Sequence, residues 1–451
     1  MQAQIETGAE AGQGGEFVGP PAPVVSEPAR GGAELSETAQ RVFNAARPRL
    51  LQIRTLLKSA QKQTSIGSGF VVGADGRALT NYHVVAQFAL DPSLYQIEFE
   101  TVDGARGPLK LLAIDVANDL ALVKLQAPTG KSFAAFLFDA AAVEGRLTKG
   151  ERLFSMGNPL DLGFTIVEGT YNGRVEKSYQ TRVHFTAALN QGMSGGPAVN
   201  RDNRVVGVNV ARSVDGDLVS FLVPAKAAVS LLEKAGSGTE MDADAVRREI
   251  GAQMEVWQKD FFATLKARGF HDANFGPYRV VESNADWFGC WAQTNGDERS
   301  KLRAQVNRSR CDTRTQIFLG EGMPAGEVET EHVYLKSVDL DPLQFAQRLT
   351  SAARTFLPGG DELRYTPFRC HENFLAASDK APERPDLRVS WCARAYKDFP
   401  GLYDVSVVTI TQDADREALV SSALLTGVRF ESALQFSEVF LATPKVRRDL
   451  D

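Results

Sequence analysis

The sequence predicts a mainly β protein in two parts, a barrel or sandwich of short strands followed by a separate α+β region. Three observations carry this. Between Leu50 and about Pro224, short apolar runs recur at regular spacing, cut by Gly, Asn, Asp and Pro, which is the pattern of many short strands. From 242 to 268 the apolar period changes to that of a helix. All four cysteines, Cys290, Cys311, Cys370 and Cys392, lie beyond that change.

The elements follow in order. Residues 1–34 are rich in Gly, Ala, Pro and Glu and cannot bury a core, so they read as a flexible tether. The run E-L-S-E-T-A-Q-R-V-F-N-A-A (34–46) predicts a helix with Ser36 as its cap. Strands are expected at G-F-V-V-G (69–73), Y-Q-I-E-F-E (95–100), L-A-L-V-K-L (120–125) and R-V-V-G-V-N-V (204–210). A helix over 224–235 is followed by G-S-G-T (236–239), which reads as a hinge. In the helix over 242–268, the stripe Val246, Ile250, Met254, Trp257 and Phe261 is a core face rather than a ligand surface. The expected division is therefore a tether (1–34), a first domain (35–239) and a second domain of α+β type (240–451).

Composition narrows the partners. A net charge of −6 argues against nucleic acid or an anionic membrane as a partner. No run approaches the roughly 18 apolar residues of a membrane span. The nearest, from Phe133 to Val143, is interrupted by Asp139 and reads as a buried or loop-flanking segment. The N-terminus has neither a basic start nor an apolar stretch, so the chain is either cytosolic or a mature form lacking its export segment. The cysteines favour the second. They show no C-x-x-C spacing, and neither a metal site nor a cofactor is expected. An even number confined to one region points to two disulfides and an oxidising, extracytoplasmic compartment such as the periplasm; four reduced core cysteines are the alternative. Of the three possible pairings, Cys290–Cys311 and Cys370–Cys392 are favoured. Each pair is followed by a strand-like run and then a helical one, so 240–451 reads either as two repeated α+β subunits or as one α+β region whose matching spacing is chance.

The chemistry is sought around N-Q-G-M-S-G-G-P-A-V (190–199), where Ser194 lies in a glycine-rich turn. A serine nucleophile needs a histidine to take its proton and a carboxylate to fix the imidazole tautomer. In the strand-rich part only His83 and His184 are available. His83 ends a strand in A-L-T-N-Y-H-V-V (78–85), whereas His184 reads as an ordinary half-buried strand residue. Asp115 and Asp119 are the candidate carboxylates, and Asp119 directly precedes an apolar strand. The alternative is a non-catalytic binding protein on the same scaffold.

Taken in order, S-I-G-S-G-F-V-V-G-A-D-G-R-A-L-T-N-Y-H-V-V (65–85), N-D-L-A-L-V-K-L (118–125) and N-Q-G-M-S-G-G-P-A-V resemble the chymotrypsin-fold serine proteases, and within them the bacterial HtrA (Deg) branch. S-M-G-N-P-L (155–160), R-V-V-G-V-N-V-A (204–211) and S-F-L-V-P (220–224) extend the resemblance over roughly residues 40–235. It implies a chymotrypsin-like double β-barrel that cleaves protein or peptide substrates, with His83 as general base, Asp119 as its orienting partner and Ser194 as nucleophile. The amides of Gly192 and Ser194 would form the oxyanion hole. Ala188 would lie at the base of the specificity pocket, and Asn209, Val210 and Ala211 along one wall. Met193 departs from the family, because it cannot form the ion pair by which digestive relatives are activated through N-terminal cleavage. The region after 240 shows no PDZ-like carboxylate-binding loop; it is expected to recognise substrate, to regulate, or to hold a partner or a second copy of the chain.

Overall fold

The computed structural model describes residues 31–126, 130–212, 219–236, 238–295, 303–354, 357–377, 383–412 and 414–447. Helix α1 (Gly31–Ala46) precedes the first strand. It starts before Ser36, which therefore lies inside the helix and is not its cap; Ala33, Glu34 and Leu35 are good helix formers and carry the helix further back. Residues 1–30 of the expected tether lie outside the described residues.

Six strands close the first barrel: β1 (Leu50–Leu57), β2 (Lys62–Val71), β3 (Arg77–Thr80), β4 (Tyr95–Thr101), β5 (Arg106–Asp115) and β6 (Leu120–Leu125), in the order β1-β2-β3-β6-β5-β4. Helix α2 (Tyr82–Leu90) follows β3. Strand β6, L-A-L-V-K-L, is buried on both faces except at Lys124, which explains its nearly continuous apolar run. The second barrel repeats the closure with β7 (Arg152–Gly157), β8 (Thr165–Arg174), β9 (Val183–Thr186), β10 (Pro197–Val199), β11 (Val205–Arg212) and β12 (Val219–Pro224), in the order β10-β11-β12-β9-β8-β7. Between the barrels, Phe136 is buried edge-on against Phe70, and Asp139 caps the short helix α3 (Ala140–Val143). That accounts for the apolar run from Phe133 to Val143 without any membrane role. No helix among the described residues is long and apolar enough to cross a membrane.

Helix α4 (Ala225–Ala235) packs on the outside of the barrels and leads into the segment expected to hinge, of which Ser237 lies outside the described residues. The chain is then fastened to β5: Met241 donates its amide to the Leu111 carbonyl, and Glu240 pairs with Lys110 at 2.7 Å. The 26-residue helix α5 (Ala243–Arg268), capped by Asp242, buries Val246, Ile250, Met254 and Phe261, most of the stripe read from its period. Val246, Ile250 and Met254 share one core with Val84, Val85 and Ile114 of the first barrel. The two parts of the chain are thus packed through a common apolar cluster.

Beyond α5 lie β13 (Phe270–Phe275), β14 (Tyr278–Ser283), β15 (Gly289–Thr294), β16 (Ala304–Asp312), the hairpin β17 (Ile317–Gly320) and β18 (Met323–Ala325), β19 (Glu327–Ser337), α6 (Pro342–Arg354), β20 (Arg369–Leu375), β21 (Leu387–Ala395), β22 (Tyr403–Thr411), β23 (Glu417–Val428) and α7 (Phe430–Leu441). Seven of these strands form one sheet, β15-β16-β19-β23-β22-β21-β20. The two cysteine-bearing segments occupy opposite edges of that sheet, with β23 between β19 and β22. Cys290–Cys311 ties β15 to β16, and Cys370–Cys392 ties β20 to β21, each pair directly opposite in register.

The bridges close segments of 21 and 22 residues, for which lost chain entropy in the unfolded state is worth about 3 kcal/mol each. Reduction should therefore lower the denaturant midpoint of the sheet clearly. Equal midpoints with and without reductant would show that these edges gain nothing from their cross-links.

Candidate active site

Three turns converge where the barrels meet. The first is the start of α2. Asn81, in extended conformation at the N-cap, does not cap the helix with its side chain; its Nδ2 donates to the Asp119 carbonyl at 2.7 Å. The Tyr82 amide donates to the same carbonyl at 3.3 Å. Asp119 has φ of +59°, a left-handed conformation that aspartate tolerates better than most residues and that recurs at functional sites. Its carboxylate then meets His83 twice. The His83 amide donates to Oδ1 at 2.9 Å, and the ring Nδ1 stands 2.6 Å from Oδ2. Imidazole position and tautomer are both set by this one carboxylate.

Asp115 is turned elsewhere. Its carboxylate accepts from the Asn118 amide and side chain, at 3.0 and 2.8 Å, and shapes the turn that presents Asp119. His184 lies half-buried on β9 opposite Phe221.

The third turn holds Ser194. Gly192 and Gly195 have φ of +93° and +84°, and a Cβ at either would collide with a backbone carbonyl, that of Asn158 or Ser68. Gly195 also lies against Thr80 and the Asn81 amide, so the turn is packed directly on the entry to α2. Ser68 pins it from below: its amide donates to the Ser194 carbonyl at 2.7 Å and its hydroxyl to the Gly192 carbonyl at 2.7 Å. The amides of Met193, Gly195 and Gly196 are spent on internal carbonyls. Those of Gly192 and Ser194 have no acceptor among the described residues. The Ser194 hydroxyl donates to the Val210 carbonyl at 3.4 Å. Met193 is wholly buried in the second-barrel core with Phe185 and Leu189, which accounts for an apolar residue at that position.

Asn209, expected along the pocket wall, is placed differently. It is wholly buried, and its Nδ2 donates to the Met156 and Met193 carbonyls at 3.0 and 3.2 Å. Its backbone exchanges bonds with Gly195 and Gly196, both at 2.9 Å. A side chain with both a donor and an acceptor is needed to brace the serine turn, and that need turns it away from the cleft. Val210 faces the cleft, Ala188 is exposed between buried Ala187 and Leu189, and Ala211 contributes its backbone to β11. Sequence reasoning missed Asn81 and Ser68, which act through backbone carbonyls and leave no chemical signature in a strand or cap.

Burial alone would lower the His83 basicity, but the charge of Asp119 and its hydrogen bond outweigh it and hold the imidazole above its ordinary value of 6.5. A base must be neutral to accept a proton. The acid limb of a kcat/KM profile is therefore expected above 6.5, and Asp119→Asn, which leaves only the burial, should move it down. A wild-type limb below 6.5 would contradict this account of the imidazole.

Residues 67–208 match the family described as trypsin-like peptidase domain. A probable periplasmic serine endoprotease, DegP-like, of Brucella suis is 33% identical over 215 residues, covering 46% of this chain and 39% of that protein. Serine protease HTRA1A of Danio rerio is 31% identical over 267 residues, covering 56% of this chain and 51% of that protein. The chain spans about half or less of the length of these relatives. Among solved structures, the crystal structure of Deg5 matches at 26% identity with a TM-score of 0.39, covering 46% of this chain and 98% of that one. The two-barrel part of the chain is thus similar to HtrA-like serine proteases, and residues 67–208 within it match the trypsin-like peptidase domain.

Proposed function

We propose that the protein is a serine endopeptidase that cleaves protein substrates through a His83–Asp119–Ser194 triad, outside the cytoplasm. The observation that carries this reading is the two-point hold of Asp119 on His83, beside a serine turn whose amides at Gly192 and Ser194 are free to donate to a ligand oxygen. In this mechanism Ser194 Oγ attacks the scissile carbonyl carbon while His83 takes its proton through Nε2. Asp119 stabilises the imidazolium, and the two free amides stabilise the oxyanion. Collapse expels the amine, which leaves with the proton from His83. Water, deprotonated by His83 in turn, attacks the acyl carbon; the bond to Ser194 Oγ then breaks as His83 returns the proton to that oxygen, releasing the acid.

Two disulfides favour an oxidising compartment, and the likeness to a probable periplasmic endoprotease of Brucella suis supports the same placement. Protein processing or quality control there is the role we infer, with residues 240–451 as a separate domain for substrate, a regulator or a second copy of the chain.

A fluorophosphonate probe tests the chemistry. Labelling should map to Ser194 and vanish in Ser194→Ala; an unlabelled wild-type chain would leave a binding protein on a protease scaffold as the better reading. If Ala188 forms the pocket base, as the resemblance implies, no carboxylate lies there, and cleavage is expected after small or medium aliphatic residues. Cleavage mainly after Lys or Arg would refute that pocket alignment.

A further inference from the structure

The region matched by the protease family ends at residue 208, but the cleft beside His83 does not end with it. This cleft, of about 1020 Å³, is lined on one side by His83, Asp119 and Val210 and on the other by Trp291, Arg314 and Phe318 of the second domain. The hairpin β17–β18 brings Phe318 there. Strand alternation buries Ile317 and Leu319 in the core they share with Val84 and Val85, and leaves Phe318 half-buried at its edge, bordering the cleft. Its ring lies edge-on to both His83 and Tyr82, with centroids 6.3 Å apart in each case.

The hairpin is held at both ends. On the protease side the buried Tyr82 hydroxyl donates to the Leu319 carbonyl at 2.9 Å, and Gln87 donates to Glu321 at 3.0 Å. On the far side the Tyr365 hydroxyl donates to the Gly322 carbonyl at 2.6 Å, and that of Tyr396 to Pro324. The backbone that carries the Phe318 ring is therefore fixed from both sides. Further along the wall, Arg314 lies 4.5 Å over the ring of Trp291, which remains 53% exposed toward the cleft. An exposed tryptophan lining a cleft is a ready contact for an extended peptide.

We infer that the second domain forms one wall of the substrate cleft, and that Phe318 is a specificity-determining residue limiting the size of the substrate side chain that lies against His83. The inference rests on the serine-protease reading above. Where the hairpin holds the ring, a bulky substrate residue has to displace it, and discrimination of this packing kind is worth about tenfold to a hundredfold in kcat/KM.

The test is a cleavage-site profile on a proteome-derived peptide library, using the full chain, Phe318→Ala and Phe318→Trp, with Ser194→Ala as the blank. Phe318→Ala should raise cleavage of substrates with a bulky residue at one position flanking the scissile bond by about tenfold or more relative to small ones. Phe318→Trp should shift the same position the other way. Opposite shifts at a single position cannot arise from general loosening of the hairpin. Coincident profiles, or uniform loss of activity in both variants without a change in profile, would overturn the inference and reduce the hairpin to a prop. A wild-type chain indistinguishable from the blank would instead defeat the protease reading itself, and this inference with it.

Discussion

Replacing Ser194 with alanine is expected to lower kcat/KM for peptide cleavage about a millionfold while leaving the denaturation midpoint in place. The two halves of that expectation have separate causes. The hydroxyl makes one long bond, to the Val210 carbonyl at 3.4 Å, so the fold loses almost nothing with it. The backbone of the residue, which donates the free amide and accepts from Ser68, is untouched. Chemistry loses its nucleophile altogether, and because the three groups act as a unit, His83→Ala should be about as damaging. Asp119→Asn should cost about ten-thousandfold, since the asparagine amide offers Nδ1 a donor where it needs an acceptor and so selects the wrong tautomer. Peptide cleavage assays beside chemical denaturation settle both halves. Substantial cleavage by purified Ser194→Ala would remove Ser194 from the mechanism.

The second large effect is on stability and lies far from the serine. Asp404 on β22 is 1% exposed and accepts from Arg394 Nε and Nη2, at 2.8 and 2.7 Å, across the β21–β22 ladder. It also accepts from the Gly427 amide at 2.9 Å, and the Tyr396 hydroxyl, whose one proton is shared between it and the Pro324 carbonyl, lies 2.8 Å away. The buried carboxylate is thus surrounded by donors. Asp404→Ala would strand the Arg394 guanidinium, 7% exposed, without its counter-charge, a change that costs about 3–5 kcal/mol. Because Tyr396 also holds the Pro324 carbonyl, the hairpin under Phe318 should loosen with it. Urea denaturation followed by tryptophan fluorescence measures the loss. A change below about 1 kcal/mol would mean that the pair is worth no more than a surface ion pair.

The site was legible in the sequence to the extent that its parts are tied to motifs. Ser194 lies in a turn that needs Gly192 and Gly195 for reasons of backbone conformation, Asp119 directly precedes β6, and His83, read from the sequence as a strand end, instead opens α2 just past β3, so each lies in or beside a local motif. The disulfide pairs were legible for a similar reason, since each joins neighbouring strands of a hairpin across 21 or 22 residues. Contacts across long separations left no such trace. Nothing in Q-I-F-L-G marks Leu319 as the partner of Tyr82, and nothing in the alternation of β11 shows that Asn209 turns inward while Val210 faces the cleft. The single sheet of the second domain was hidden too, because its order places β23 between strands that are earlier in the chain.

The contact between Tyr82 and Leu319 joins residues 237 positions apart, and a ribosome works from one end. At about 5–20 residues per second, the helix that carries His83 is synthesised tens of seconds before the strand that covers it. During that interval Tyr82 lacks the acceptor for its hydroxyl, and the apolar outer face of α2 lacks Leu319, Met323 and the packing of α5. The nascent chain therefore holds the proposed catalytic side chains before it holds the cleft in its final shape. The wall over His83 waits for residues 243–325 to be made.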